Sequence, residues 1–256
     1  MKYGNPVLLI PADRPRLSRL IAFVTGAATT LAFAPFGLSL LVPLLLLQLF
    51  YVFLSVAPRD AAAHAFWYCF GLFLTGTYWI YISVHVFGNA ALWIAVVLML
   101  GLALLMAFFL SLGGWLSSRL SQGEPWQLLL IAPAAWVLVE WVRSWALTGF
   151  PWMALGYGQI DNGFAGWAPV LGVYGVSFML ALVASAIIVT AMAQKARGRI
   201  IGAVFIVAPW LVGSALTAID WTEPHGKPLR ASVCLLYTSP SPRAQQHHRG
   251  CRLLLD

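Results

Sequence analysis

AALWIAVVLMLGLALLMAFFLSLGGWL, residues 90–116, runs without a single charged side chain. At about 1.5 Å of rise per residue, roughly 20 such residues cross the ~30 Å hydrocarbon core of a bilayer as an α-helix. Its apolar positions are continuous and do not alternate, so it does not read as a strand of a membrane barrel. Six further apolar runs, 17–34, 38–56, 62–85, 126–147, 171–193 and 200–218, read the same way. The predicted fold is all-α, a polytopic transmembrane bundle of about seven helices.

Composition leads to the same reading. The 256 residues are 61% hydrophobic and 9% charged, far from the roughly 25% charged of soluble domains. Fifteen basic residues stand against eight acidic ones. They form no stripe of the kind that binds nucleic acid, so no nucleic-acid partner is expected. Instead Arg14, Arg16 and Arg19 precede the first run, and Lys195, Arg197 and Arg199 separate two later ones. With Lys2, Arg59 and Arg119 they fall on one side of the predicted bundle, whereas the alternate loops near 36–37, 87–89 and 148–169 carry no Lys or Arg. The positive-inside rule then predicts a cytoplasmic N-terminus and an outward exit after the seventh run. The first run lacks a small-residue cleavage site and reads as a span, not as a cleaved leader. Cys69, Cys234 and Cys251 show neither CxxC spacing nor a paired His, so no metal site or redox motif is expected. No cofactor is expected either, since no phosphate-binding loop or nucleophile elbow is present.

Two stretches carry residues of functional interest. In VLVEWVRSWALTGFPW, residues 137–152, Glu140 and Arg143 are the charges placed inside a predicted span. Three residues apart, they share a helix face and are expected to pair. Such residues ordinarily face protein or a wet cavity. Two readings stand side by side: a structural pair, with Arg143 snorkelling to the interface, or a pair that holds a phospholipid headgroup or shapes the mouth of a site. The following loop, 148–169, is rich in glycine and aromatics, Trp152 among them, and is expected to lie at or dip into the outer interface. In GTYWIYISVHVFGN, residues 76–89, Tyr78, Trp79 and Tyr81 lie close to His85. That cluster suits a lipid groove or ordinary packing. Small residues four apart, Gly198 with Gly202 and Ala181 with Ser185, permit close helix contact.

Together LAFAPFG (31–37), GTYWIYISVHVFGN (76–89), EWVRSWALTGFPWMALGYGQ (140–159) and GVYGVSFML (172–180) resemble the membrane part of bacterial apolipoprotein N-acyltransferase. The resemblance covers about residues 16–232. It implies an inner-membrane enzyme that moves an acyl chain from a phospholipid donor to the N-terminal cysteine amine of a diacylated lipoprotein acceptor. In that family a nitrilase-like domain facing the periplasm supplies a Glu base, a Lys and a Cys nucleophile that carries a thioester. Trp221 matches the tryptophan that the family places just before that domain, and is carried over as a functional candidate with Glu140, Arg143, Trp152, Tyr78 and His85.

The resemblance divides the chain into a cytoplasmic segment (1–16), a helical membrane domain (17–219), the start of a nitrilase-like domain (220–233) and an aberrant or disordered tail (234–256). The tail, CLLYTSPSPRAQQHHRGCRLLLD, is low in apolar periodicity and reads as foreign or frame-shifted sequence. No residue is assigned as catalytic, Cys234 and Cys251 included, and the chain alone is expected to be inactive. The rival readings are a transporter, for which no repeated half is evident, and a non-catalytic membrane scaffold.

Overall fold

Proline opens helix after helix. A helix's first N–H groups have no intrahelical acceptor, so the missing N–H of proline costs nothing there. In the computed structural model, which describes residues 14–223 and residue 226, α1 (Pro15–Thr29), α2 (Val42–Ser55), α3 (Pro58–Gly76) and α6 (Pro125–Arg143) all carry proline in the first two positions. So does α7 (Ala168–Met192), which precedes α8 (Ala196–Leu216). Between α3 and α6 lie a short α4 (Trp79–Tyr81), a π-turn (Ile82–Phe87) and the long α5 (Leu92–Ser121). The described residues through Trp221 form one compact unit. The fold is an all-α polytopic bundle.

Four helices are long and apolar enough to cross a membrane: α5, α6, α7 with its preceding turn, and α8. Counted as one span, α3 with α4 and the π-turn, bent by 46°, makes a fifth. The first two predicted runs form shorter helices. α1 ends at Thr29 and tightens into a 3-10 turn, Thr30–Ala32, because Ala34 precedes a proline and is disfavoured in helical geometry. With their 3-10 turns, α1 and α2 each reach only about 27–28 Å, slightly less than the hydrocarbon core.

Close approach between the helices depends on small residues. A Cβ on Gly26 would lie 1.8 Å from the Tyr68 carbonyl oxygen, and one on Gly71 would lie 2.2 Å from that of Phe23. These two glycines bring α1 and α3 together in parallel, and Tyr68 Oη shares a 2.6 Å hydrogen bond with Thr29 Oγ1. The expected small-residue contact at Gly202 is also present, where a Cβ would meet Thr190 Oγ1 of α7 at 2.1 Å. α7 is the most enclosed of the long helices and α8 the least. Leu98, Leu104, Phe108 and Leu112 of α5 point outward. So large an exposed apolar surface suits a bilayer and not water.

The predicted boundary at 220–233 and the aberrant tail, 234–256, fall almost wholly outside the described residues, as do residues 1–13. Cys234 and Cys251 lie there too.

Candidate functional site

α6 ends at Arg143, one turn earlier than the predicted 147, and this early stop organises the outer loop. Leu147 (φ 52°), Thr148 (φ 77°) and Gly149 (φ 83°) take left-handed backbone conformations, which turn the chain back toward the helix it has just left. Phe150 N donates to Arg143 O at 2.8 Å. The loop then returns into the bundle. Ala154, Leu155, Gly156 and Gln159 are buried, Gly156 N donates to Ser177 Oγ at 2.9 Å, and Gln159 Nε2 donates to Ser39 O at 3.2 Å. The loop is thus held by α7 and by the turn before α2, the inward-dipping one of the two expected placements.

The two intramembrane charges are the clamps of this loop. Glu140 and Arg143 are 3% and 4% exposed. Glu140 Oε1 accepts from Trp136 Nε1, one turn back, at 2.8 Å, and from Leu155 N at 3.0 Å. Arg143 Nη1 donates to the carbonyl oxygens of Phe150 and Trp152, both at 2.6 Å, and the guanidinium lies 5.1 Å over the Phe73 ring. The direct ion pair expected from their spacing is not formed, and the ion pair seen among the described residues is Arg19 with Asp60 at 3.2 Å. The loop carbonyls take the guanidinium instead, because the backward turn after Arg143 brings them to it. Arg143 does not snorkel. The opposite charges, one turn apart, compensate each other through space while each satisfies backbone groups that would otherwise be orphaned in a low-dielectric interior. Both line a cavity of about 10 Å³, the scale of a single water.

Above the clamp lies an aromatic shelf. Phe150 packs on Phe73 (6.0 Å between centroids) and stacks on Trp152 (5.2 Å), and Trp152 in turn reaches Trp79 (6.2 Å). Next to it on α4, Tyr78 stacks on Tyr81 at 5.6 Å and Tyr81 packs on His85 at 5.5 Å. Trp152 and Tyr78 leave about half their surface open, 52% and 54%. His85 Nδ1 donates to Ala90 O at 2.8 Å, which ties the π-turn to the stretch that leads into α5. Five of the six candidates therefore belong to two adjoining clusters. Trp221 stands apart, exposed, with Nε1 donating to Leu216 O at 3.2 Å at the end of α8.

Apolar, open ring faces over a rigid polar base can hold an acyl chain, but this arrangement has no nucleophile with a base. Among the described residues no group of His, Cys, Asp and Glu is placed to hold a metal. Cys69 is buried in α3 with Sγ donating to Met106 O at 3.4 Å.

The family model for the apolipoprotein N-acyltransferase N-terminal domain matches residues 25–186. The chain belongs to the apolipoprotein N-acyltransferase family. Apolipoprotein N-acyltransferases of Azotobacter vinelandii and Methylococcus capsulatus are 43% and 37% identical to it over 218 and 219 residues. That of Coxiella burnetii is 34% identical over 222 residues. The first two alignments cover 84% of this chain but 42% of the relative, and the third 85% and 45%. The chain therefore spans less than half the length of the apolipoprotein N-acyltransferases it matches, and what it contributes is a multi-pass membrane domain. The match includes Tyr78, His85, Glu140, Arg143 and Trp152, while Trp221 lies beyond its end.

Three partners in this membrane domain carried no reading in the sequence: Trp136, the Leu155 amide and Phe73. Trp136 was within reach of a pattern argument, since it lies four residues before Glu140 on one helix face. The amide and Phe73 come from distant segments and left no local signal.

Proposed function

We propose that this chain is the membrane part of an acyltransferase that moves an acyl chain from a phospholipid to the α-amino group of the N-terminal cysteine of a diacylated lipoprotein. The observation that carries this reading is the clamped aromatic loop at Glu140–Gly156, which lies inside the region matched by the family model. In the proposal the bundle sits in a bacterial inner membrane with its basic loops in the cytoplasm and loop 148–169 at the periplasmic face, as the charge asymmetry favours. Trp152 and Tyr78 accept the acyl chains, and His85 holds the π-turn beneath them. Glu140 and Arg143 are positioning residues that fix the loop. Trp221 stands where the membrane domain leads into a nitrilase-like catalytic domain, which residues 220–233 would begin.

In this reading the thioester chemistry belongs to that further domain, and the 256 residues alone do not turn over. The buried, hydrogen-bonded Cys69 supports this, because a thiol enclosed in the bundle has no access to either substrate. The test joins residues 1–221 to the C-terminal part of a relative and supplies a phospholipid and a diacylated lipopeptide. Triacylated product from the chimera and none from the 256-residue chain is the expected result. Product from the chain alone would overturn the division of labour, and none from the chimera would count against an acyltransferase membrane part.

A further inference from the structure

A groove of about 460 Å³ lies on the outer side of α1 and α3, away from the aromatic loop. Its α1 wall is the stripe Arg16, Arg19, Leu20 and Phe23, spaced i, i+3, i+4 and i+7 on one face. Trp67 and Phe70 of α3 form the other wall, with Phe23 packed between them at 6.4 Å and 5.9 Å. The charge is confined to one end. From Arg19 to Phe23 the helix climbs about 6 Å, and every lining residue beyond the arginines is apolar or aromatic.

That end carries a positive excess. Across residues 13–64 the formal charges are Arg14, Arg16, Arg19 and Arg59 against Asp13 and Asp60. Asp60 meets Arg19 at 3.2 Å, while Arg16 is exposed and has no ion pair among the described residues. The walls are held rigidly, because α1 and α3 touch backbone to backbone at Gly26 and Gly71. The groove therefore presents positive charge at the height of a headgroup and a preformed apolar channel at the height of acyl chains.

We infer that this groove binds an anionic phospholipid, its phosphate at Arg16 and Arg19 and one acyl chain along Leu20, Phe23, Trp67 and Phe70. A zwitterionic lipid has the same tails but offers no net charge to the arginines, so the site discriminates by headgroup. Juxtamembrane arginines attract anionic lipid by this physics. The groove adds a fixed place for the chain, which makes the lipid a resident of the fold and distinct from the acyl donor proposed above.

The test is native mass spectrometry of the full chain in detergent, titrated with phosphatidylglycerol or with phosphatidylcholine of identical chains. Wild type should retain phosphatidylglycerol preferentially. Arg16→Gln, at an exposed position without an ion-pair partner, should weaken that retention about fivefold and leave the thermal midpoint unchanged. Leu20→Ser, also exposed, puts a polar group in the channel and should weaken it severalfold as well. Equal retention of the two lipids would overturn the proposal. So would loss on Arg16→Gln with no effect of Leu20→Ser, since diffuse surface attraction would then suffice. Acyl transfer by the chimera is a separate readout, so failure here and failure of the enzymatic reading are distinguishable.

Discussion

Glu140 on α6 accepts the backbone N–H of Leu155, fifteen residues further along, at 3.0 Å. A helix carboxylate thus holds the middle of a loop that dips back into the bundle. The same oxygen serves Trp136, so one side chain ties a helix face and a re-entering segment together.

That arrangement separates two substitutions. Glu140→Gln keeps a carbonyl oxygen for both donors and should cost less than about 1 kcal/mol. Glu140→Ala leaves the Trp136 and Leu155 N–H groups buried and unpaired, at about 1–3 kcal/mol each. Thermal unfolding in detergent should rank them wild type, Gln, then Ala. Equal loss for both would mean that the negative charge matters, not the acceptor.

Arg143→Ala should free the Phe150 and Trp152 carbonyls and loosen the loop without dissolving the bundle. Hydrogen exchange read on peptides spanning 150–156 should rise, while α3 and α7 keep their protection. Arg143→Lys can offer one ammonium to both carbonyls, which here share the single Nη1, but it loses the planar group that packs over Phe73. It should fall between, and full recovery by lysine would show that a point charge is enough.

Trp152→Ala removes half-exposed aromatic surface from the shelf and leaves its carbonyl in place. In the chimeric acyltransferase the expected result is a rise of about tenfold in KM for the phospholipid, equivalent to about 1.4 kcal/mol, with kcat nearly unchanged. A fall in kcat alone would move Trp152 from acyl-chain binding to some other role.

Gly26→Ala tests the α1–α3 seam. Its Cβ would stand 1.8 Å from Tyr68 O, a backbone atom that cannot swing aside. Overpacking of this kind typically costs about 1–3 kcal/mol, and the detergent midpoint should fall accordingly. Gly101→Ala, with nothing within 4 Å of the new Cβ, is the matched control and should be neutral or slightly stabilising.

Cysteine scanning with a membrane-impermeant thiol reagent on intact cells should label position 161, in the outer loop, and leave position 197 untouched until the cells are opened. The reverse pattern would invert the proposed orientation.

Much of this protein was legible in its sequence because a bilayer imposes a local rule. Backbone polar groups in lipid are satisfied either within a helix or across a closed barrel, and the run 90–116 lacks the alternation of a barrel strand, so it reads as helix whatever lies beside it. The residue types that open and close helices, such as Pro58, Pro125 and Gly123, are local as well, and the motifs at 76–89 and 140–159 carried the family. The destination of a side chain is not local. Glu140 and Arg143 share a helix face at a spacing that suits an ion pair, yet each found its partners across the loop. Three left-handed residues at 147–149 reversed the chain and set backbone donors and acceptors nearer than the opposite charge. The basic-ended groove between α1 and α3 likewise follows from packing. The sequence by itself determined that these segments enter the membrane as helices, because burial in lipid is a property of each segment alone. Only the tertiary structure decided what the two buried charges hold, because a buried charge is satisfied by whichever groups the folded chain brings within hydrogen-bonding distance.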